Sequence, residues 1–103
     1  SELKDWSVKK SERLAIRQYS LLASAFQAVK PEGLIMYSTC SINPMENDQI
    51  IAKLIKKKKK VKVEKIEWKY SRFSPEQTEM GYIFLPDRHQ FGPIYFSLVR
   101  VIP

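Results

Sequence analysis

Cys40 is the residue of this sequence whose type and position most clearly allow covalent chemistry. It is the one cysteine among 103 residues, and a cysteine thiolate is a strong nucleophile. The apolar residues 34–37 before it predict a strand, and Asn43-Pro44 after it is typical of a helix start. Catalytic sites in open α/β sheets lie at such strand ends, and a helix N-terminus favours an anionic thiolate. These observations alone leave two interpretations, a nucleophile or a small buried residue.

The segment before Cys40 predicts an amphipathic helix over residues 7–29. Its apolar face recurs at three- and four-residue steps: Leu14, Leu21, Leu22, Ala25, Phe26 and Val29. Ser7 is a suitable N-cap. Pro31 and Gly33 are typical of a helix end, with Gly33 able to adopt a left-handed turn. Gln18 is the polar member of the face, either at the edge of the core or in a site.

A second helix is predicted directly after Cys40. Asn43 is a good N-cap, Pro44 suits the first helical position, and Glu46 is spaced to close a capping box. Glu46 has a second interpretation as a polar residue of the site. The buried face of this helix is predicted from apolar spacing: Ile50, Ile51, Leu54 and Ile55.

The remaining sequence predicts strands. Residues 61–70 alternate in polarity with a phase slip after Val63, residues 71–79 are polar and predict a loop, and residues 81–85 predict a short extended piece. Residues 94–101 are apolar on both faces, which predicts a central strand. A central strand that follows a more exposed one indicates an antiparallel hairpin. We therefore expect the end of a larger α/β sheet.

The charge and composition limit the class of protein. A formal net charge of +7 indicates a polyanionic partner such as RNA. Much of it lies in one run of candidate RNA contacts: Lys56, Lys57, Lys58, Lys59 and Lys60. The alternative for this run is a solvated helix end, where cations suit the macrodipole. A single cysteine cannot form an intrachain disulfide and fits a reducing cytoplasmic compartment. No apolar run approaches the roughly 20 residues that span a bilayer, so we predict no membrane partner.

Several motifs occur in a fixed order over residues 6–47. They are an arginine–glutamine step, a leucine pair, a lysine–proline turn, a Tyr-Ser-Thr-Cys-Ser strand end and a Glu-Asn pair: Arg17-Gln18, Leu21-Leu22, residues 30–33, residues 37–41 and Glu46-Asn47. This combination resembles the Nop2/Sun family of RNA 5-cytosine methyltransferases. The resemblance is specific because the elements agree in both order and spacing.

The resemblance implies a Rossmann-like class I methyltransferase sheet, an α/β fold to which this chain contributes strands five to seven, with the last strand antiparallel. It implies that Cys40 attacks carbon 6 of a cytosine in tRNA or rRNA, with S-adenosyl-L-methionine as methyl donor. The loop around the thiol would be supported by four residues: Thr39, Ser41, Glu46 and Asn47. The match is looser near Pro86 and His89, and His89 is either an RNA contact or an ordinary loop histidine.

The resemblance also indicates what the sequence lacks. Family members bind the donor through a glycine-containing loop and an Asp-Pro-Cys segment, whereas the glycines here are the widely spaced Gly33, Gly81 and Gly92. We therefore expect residues 1–103 to be the C-terminal portion of a methyltransferase domain, without the donor-binding N-terminal half and inactive alone. It should pair with that half or self-associate. A non-catalytic basic module that binds RNA or a protein partner is the alternative. No metal site is predicted.

Overall fold

The computed structural model describes residues 2–67, 74–85 and 92–103. Within these residues the chain forms two helices and a 3₁₀ turn: α1 (Glu2–Ala28), α2 (Asp48–Lys58) and Pro44–Glu46. It also forms one antiparallel sheet of five strands: β1 (Leu34–Thr39), β2 (Val61–Glu64), β3 (Glu76–Gln77), β4 (Tyr82–Phe84) and β5 (Ile94–Val101). No helix in this described part is both long and apolar enough to cross a bilayer.

The strand β5 is the centre of the sheet. One of its edges pairs with β1 over the whole length of that strand, from Leu34↔Arg100 to Thr39↔Tyr95. The other edge pairs with β2 near its end and with β4 near its start. All of these pairings are antiparallel, so β1, β2 and β4 run in one direction and β5 runs against them. The predicted central, antiparallel last strand is confirmed, and β2 and β4 share the edge of β5 that faces away from β1.

The hydrophobic core lies between the helices and one face of the sheet. Tyr95 and Val99 of β5 point into it and are fully buried, as are Ile51 and Leu54 of α2. On the opposite face, Phe96 stacks against two aromatic rings of β4, with centroids 5.5 Å from Tyr82 and 6.0 Å from Phe84. Alternate side chains of β5 thus serve both faces, which is what its continuous apolar sequence predicted.

The strand β1 differs from its prediction, because it is buried on one face only. Ile35 and Tyr37 are buried under the helices, but Leu34 and Met36 remain 47% and 64% exposed. The continuous apolar run predicts a strand covered on both faces. In the described part of the chain no layer covers the Leu34 and Met36 face, and β1 pairs on one edge with β5.

The ends of α1 also differ from the prediction. The helix begins at Glu2, so Ser7 lies inside it and the predicted N-cap role of Ser7 is wrong. In the following turn the left-handed residue is Glu32, with φ of 71°, rather than Gly33. Gly33 is required for a different reason, since a Cβ there would collide with the side chain of Val29.

The second half of the chain has shorter strands than predicted. The strand expected over residues 61–70 ends at Glu64, and residues 68–73 lie outside the described part. The loop expected over residues 71–79 contains the short strand β3. Its pairing with β4 follows from a tight turn in which the Thr78 N–H donates to the Gly81 carbonyl at 2.8 Å. The extended piece and the last strand, β4 and β5, are confirmed.

Candidate active site

The chain places Cys40 at the end of β1, immediately after Thr39. Its thiol is free and exposed. Cys40 is therefore not a small buried residue in this structure, and the thiol is accessible to a reaction partner. Glu46 and Asn47, directly before α2, are both buried. Five residues lie between Cys40 and Glu46.

The side chain of Asn47 holds the backbone on both sides of Cys40. Its Oδ1 accepts a hydrogen bond from Thr39 Oγ1 at 2.5 Å, and its Nδ2 donates to the Ser41 carbonyl at 2.7 Å. Thr39 Oγ1 also accepts from the Ser41 N–H at 3.2 Å. These contacts close a ring around the Cys40 backbone and leave its side chain outside. The thiol is thus carried on a fixed backbone without being restrained itself.

A second set of hydrogen bonds fixes the loop after Cys40. The Ser41 hydroxyl donates to Glu46 Oε2 at 3.2 Å and accepts from the Asn43 N–H at 2.9 Å. Asn43 caps the 3₁₀ turn by accepting from the Met45 N–H at 3.0 Å. The predicted cap role of Asn43 is confirmed. The predicted capping box is wrong, because Glu46 does not bond the Asn43 N–H directly. The Ser41 hydroxyl lies between the two groups. Glu46 thus supports the cap and is also a polar residue of the Cys40 loop.

Tyr37 connects this loop to α1. Its hydroxyl lies 2.6 Å from the Glu46 carbonyl and 2.6 Å from Gln18 Oε1, and a phenol has a single hydrogen to donate. Burial, and secondly the charge of Glu46, raise the pKa of Tyr37 well above its usual value. Tyr37 is therefore a neutral donor near neutral pH. Gln18, an unexplained polar residue of the sequence, contributes to the support of the loop from the helix.

Asp48 is a residue of this region that sequence reasoning missed. Its Oδ1 accepts from the hydroxyls of Thr78 and Tyr95, each at 2.8 Å, and from the Met80 N–H at 3.1 Å. Its Oδ2 accepts from the Glu79 N–H at 3.1 Å. Burial, and secondly this bond to Asp48, raise the pKa of Tyr95. An acidic residue in a first helical turn was visible in the sequence, but that signal also suits the helix dipole alone.

The space beside this loop is small. A cleft of about 60 Å³ separates the loop from the turn that follows β3, and it is lined by Ile42, Pro44, Asn47, Asp48, Thr78, Ile83 and Tyr95. Pockets for small molecules are usually about 300–1,000 Å³. The described residues therefore present a nucleophile at the edge of a sheet rather than an enclosed pocket.

Comparison with known proteins places this arrangement in a family. The family model described as 16S rRNA methyltransferase RsmB/F matches residues 5–100. The chain belongs to this family. The match confirms the resemblance that was read from the motifs around Cys40.

Individual relatives agree with the RsmB/F assignment. Ribosomal RNA small subunit methyltransferase F of Erwinia tasmaniensis is 35% identical over 96 residues, which cover 92% of this chain and 19% of that protein. A tRNA (cytosine(49)-C(5))-methyltransferase of Pyrococcus abyssi is 32% identical over 105 residues, covering 92% of this chain and 33% of that protein. This RsmB/F chain thus spans about a fifth of the first of these relatives and a third of the second.

A solved structure supports the fold. A methyltransferase homolog protein from Pyrococcus horikoshii superposes with a TM-score of 0.75 at 23% identity, covering 91% of this chain and 33% of the other. At that identity the likeness shows the fold alone. The RsmB/F chain is therefore part of a Rossmann-like methyltransferase sheet.

The lysine run lies away from Cys40. The helix α2 begins beside the Cys40 loop, and Lys56, Lys57 and Lys58 form its last turn. Eleven residues of α-helix are about 16 Å long. Lys59 is the left-handed C-cap, and the Lys60 carbonyl accepts from the Ile102 N–H, directly after β5. The structure brings Thr39, Ser41, Glu46 and Asn47 together around Cys40 but not these lysines, whose RNA contacts stay a prediction.

Other predicted features have different outcomes. His89, with Pro86, lies outside the described residues. The glycines do not form a cradle for the methyl donor. Gly33 packs on α1, Gly81 packs against the Phe96 backbone, and a Cβ on Gly92 would meet no described atom within 4 Å. Within residues 2–67, 74–85 and 92–103, these glycines therefore do not fit S-adenosyl-L-methionine as a binding loop would. Within the described ranges, no three His, Cys, Asp or Glu residues cluster as metal ligands.

Proposed function

We propose that this RsmB/F segment supplies the nucleophile of an enzyme that methylates carbon 5 of cytosine in rRNA or tRNA. The observation that carries the proposal is the exposed Cys40 thiol on a backbone ring closed by Asn47. A fixed backbone with an accessible thiol suits covalent catalysis, because the reacting atom must meet the substrate in one geometry. Membership of the family gives this geometry its expected substrate.

The chemistry assigned to this chain is the formation and cleavage of one covalent bond. The Cys40 thiolate attacks carbon 6 of the cytosine, which makes carbon 5 electron-rich. When bound elsewhere in the enzyme, S-adenosyl-L-methionine supplies the methyl group to carbon 5. A base then removes the proton from carbon 5, and the Cys40–carbon 6 bond breaks to release the thiolate. The target base has to be single-stranded or extruded, because stacking hides the ring.

Thr39, Ser41, Glu46 and Asn47 act as positioning residues in this scheme. They touch the backbone around Cys40 or one another rather than the reacting atoms. Glu46 is 8% exposed and Asn47 3% exposed, so their side chains have little freedom to rearrange. Their contribution is to keep the thiol in register with the base, where a displacement of about 1 Å can cost on the order of 100-fold in rate.

In this proposal, the rest of the methyltransferase domain contains the donor site and the other residues that enclose the target base. Two features of β1 support this division: it pairs with β5 on one edge, and an apolar groove of about 380 Å³ runs between it and α1. The groove contains Leu21, which is 64% exposed, and Met36, also 64% exposed. Exposed apolar surface of this kind favours association. The segment alone is expected to be inactive, and to bind a complementary half or self-associate.

The decisive experiment uses RNA that contains 5-fluorocytosine. The remainder of the domain is restored in cis or in trans, and adduct formation is followed by a shift of the protein band in denaturing gels. Fluorine at carbon 5 cannot leave as a proton does, so elimination stalls and the thioether persists. Cys40→Ala should abolish the adduct, and Cys40→Ser should nearly abolish it, because an alcohol is far less ionised than a thiol near pH 7.

The same experiment distinguishes the proposed enzyme from the alternative of a non-catalytic basic module. That alternative is favoured by the absence of a donor cradle among the described glycines. A folded Cys40→Ala enzyme that binds RNA and methylates at the original rate would leave the family match as a statement about fold. An adduct that requires Cys40 would exclude the module.

A further inference from the structure

A basic groove follows the outward face of α2. It has a volume of about 570 Å³ and is lined by Gln49, Ala52, Lys53, Lys56 and Lys57. These positions are separated by three or four residues, so they form one stripe along the helix. The groove is shallow and open, and it presents three ammonium groups along one side of the helix.

Among the described residues, the lysines of this groove have no carboxylate as an ion-pair partner. In the described ranges, the ion pair Arg100–Glu64 belongs to a different surface, and no carboxylate pairs with Lys53, Lys56 or Lys57. Like charges three and four residues apart on a helix destabilise it by a few tenths of a kcal/mol per pair. A polyanion laid along the groove relieves this repulsion. The charge of the groove is thus complementary to a phosphate backbone.

A tyrosine of α1 orients two of these ammonium groups. Lys53 Nζ lies 4.3 Å from the centroid of the Tyr19 ring, and Lys57 Nζ lies 5.7 Å from it. Cation–π contacts at exposed sites contribute about 0.5–1 kcal/mol. Because both groups are held before a ligand arrives, less conformational entropy is lost on binding. Lys56 is exposed on the other side of the stripe.

The groove starts beside the Cys40 loop. Gln49 is the second residue of α2, two positions after Asn47. From Gln49 to Lys57 the stripe is about 12 Å long at the usual helical rise. A strand whose cytosine lies at Cys40 can therefore continue along α2 without crossing the sheet.

We propose that this groove binds the sugar–phosphate backbone of the RNA that flanks the target cytosine, through Lys53, Lys56 and Lys57. The inference rests on the proposed function, which makes RNA the substrate. It narrows the predicted lysine contacts to one helix face, and it adds Lys53, which lies outside the lysine run.

The test compares two variants that lose the same charge. The groove variant replaces Lys53, Lys56 and Lys57 with glutamine. The control replaces three exposed lysines that lie outside α2: Lys30, Lys62 and Lys65. Both are made in the complete enzyme carrying Cys40→Ala, and the dissociation constant for a short single-stranded RNA with one cytosine is measured against salt concentration.

The groove variant should reduce the slope of log Kd against log salt by about 2, because each phosphate contact on a single strand contributes about 0.7. The control should change the slope much less. Replacing the three groove lysines with arginine should preserve it, which separates loss of charge from damage to the fold. Equal slopes for the groove and control variants would overturn the proposal. So would competition by polyglutamate as effective as that by RNA of the same charge.

The proposed function is tested separately. The wild-type complete enzyme, with Cys40 and the groove lysines intact, should form the 5-fluorocytosine adduct. A groove variant that keeps its salt slope while the wild-type enzyme forms the adduct removes this inference alone. Failure of the wild-type enzyme to form an adduct removes the proposed function on which it rests.

Discussion

The two ends of α2 are built by different interactions. At the N-terminal end, Asn47 and Asp48 make specific hydrogen bonds to the Cys40 loop and to residues 78–80. At the C-terminal end, Lys57 and Lys58 lie over the rings of Tyr19 and Phe26. The interactions at the N-terminal end are hydrogen bonds, whose strength depends on distance and direction. Those at the C-terminal end are cation–π contacts, which depend on the charge of the lysines and the faces of the rings.

This difference separates two requirements of a nucleic-acid enzyme. Covalent chemistry needs a reacting atom held within a fraction of an ångström, which short hydrogen bonds to buried groups provide. Phosphate binding needs charge along a surface and tolerates small displacements. One helix can serve both because its ends are about 16 Å apart. Substitutions at the first end should therefore have large, specific effects, and those at the second should have graded ones.

The largest loss of stability is expected for Asp48→Ala. The substitution removes the acceptor of four hydrogen bonds and leaves Thr78, Tyr95 and two backbone N–H groups without it. Losing charged, partly buried hydrogen bonds should lower the free energy of unfolding by about 3 kcal/mol. Urea unfolding of the complete enzyme measures this change. Asp48→Asn, which keeps one carbonyl oxygen, should lose less.

The matched variant at the other end of the helix is Lys56→Ala, which should change stability by less than about 0.5 kcal/mol. If it destabilises the enzyme as much as Asp48→Ala does, the contrast between the two ends is wrong.

The next effect is on catalysis rather than on folding. Asn47→Ala opens the ring around Cys40, so the thiol should lose its register with the base. We expect kcat to fall by about 100-fold with KM nearly constant, because Asn47 positions the backbone that carries the thiol. Single-turnover methylation with saturating RNA gives the rate. Gln77→Ala removes a similar carboxamide from an exposed position and should leave kcat unchanged. A rise in KM with an unchanged kcat would argue against a positioning role for Asn47.

The smallest effect is a gain in stability at the C-terminal end. Lys59 adopts φ of 62°, a left-handed conformation that costs a residue with a Cβ about 1 kcal/mol. Lys59→Gly should therefore stabilise the enzyme by roughly 0.5–1 kcal/mol, as measured by its thermal midpoint. Lys60→Gly, one position later and without a positive φ, should give no gain. Stabilisation by both variants would indicate that loss of charge, rather than backbone conformation, is responsible.

The sequence predicted the features that local patterns determine. The continuous apolar sequence of β5 indicated its central place, and Asn43 marked the turn that it caps. The local patterns of the sequence could not predict contacts between segments that are far apart in the chain. Asp48 looked like any acidic residue in a first helical turn because its partners lie at residues 78–80 and 95. The capping box was misassigned because the Ser41 hydroxyl lies between its two members.

The order of the strands in the sequence has a consequence for biosynthesis. Three strands pair directly with β5, yet β5 follows all of them in the chain. Leu34 is therefore synthesised well before Arg100, its partner in the sheet. A ribosome adds about 5–20 residues per second, so β1 is exposed for several seconds before its partner exists. During that interval its apolar edge is available to chaperones and to other nascent chains. A codon change that slows translation between β1 and β5 should therefore lower the yield of folded enzyme without altering any residue.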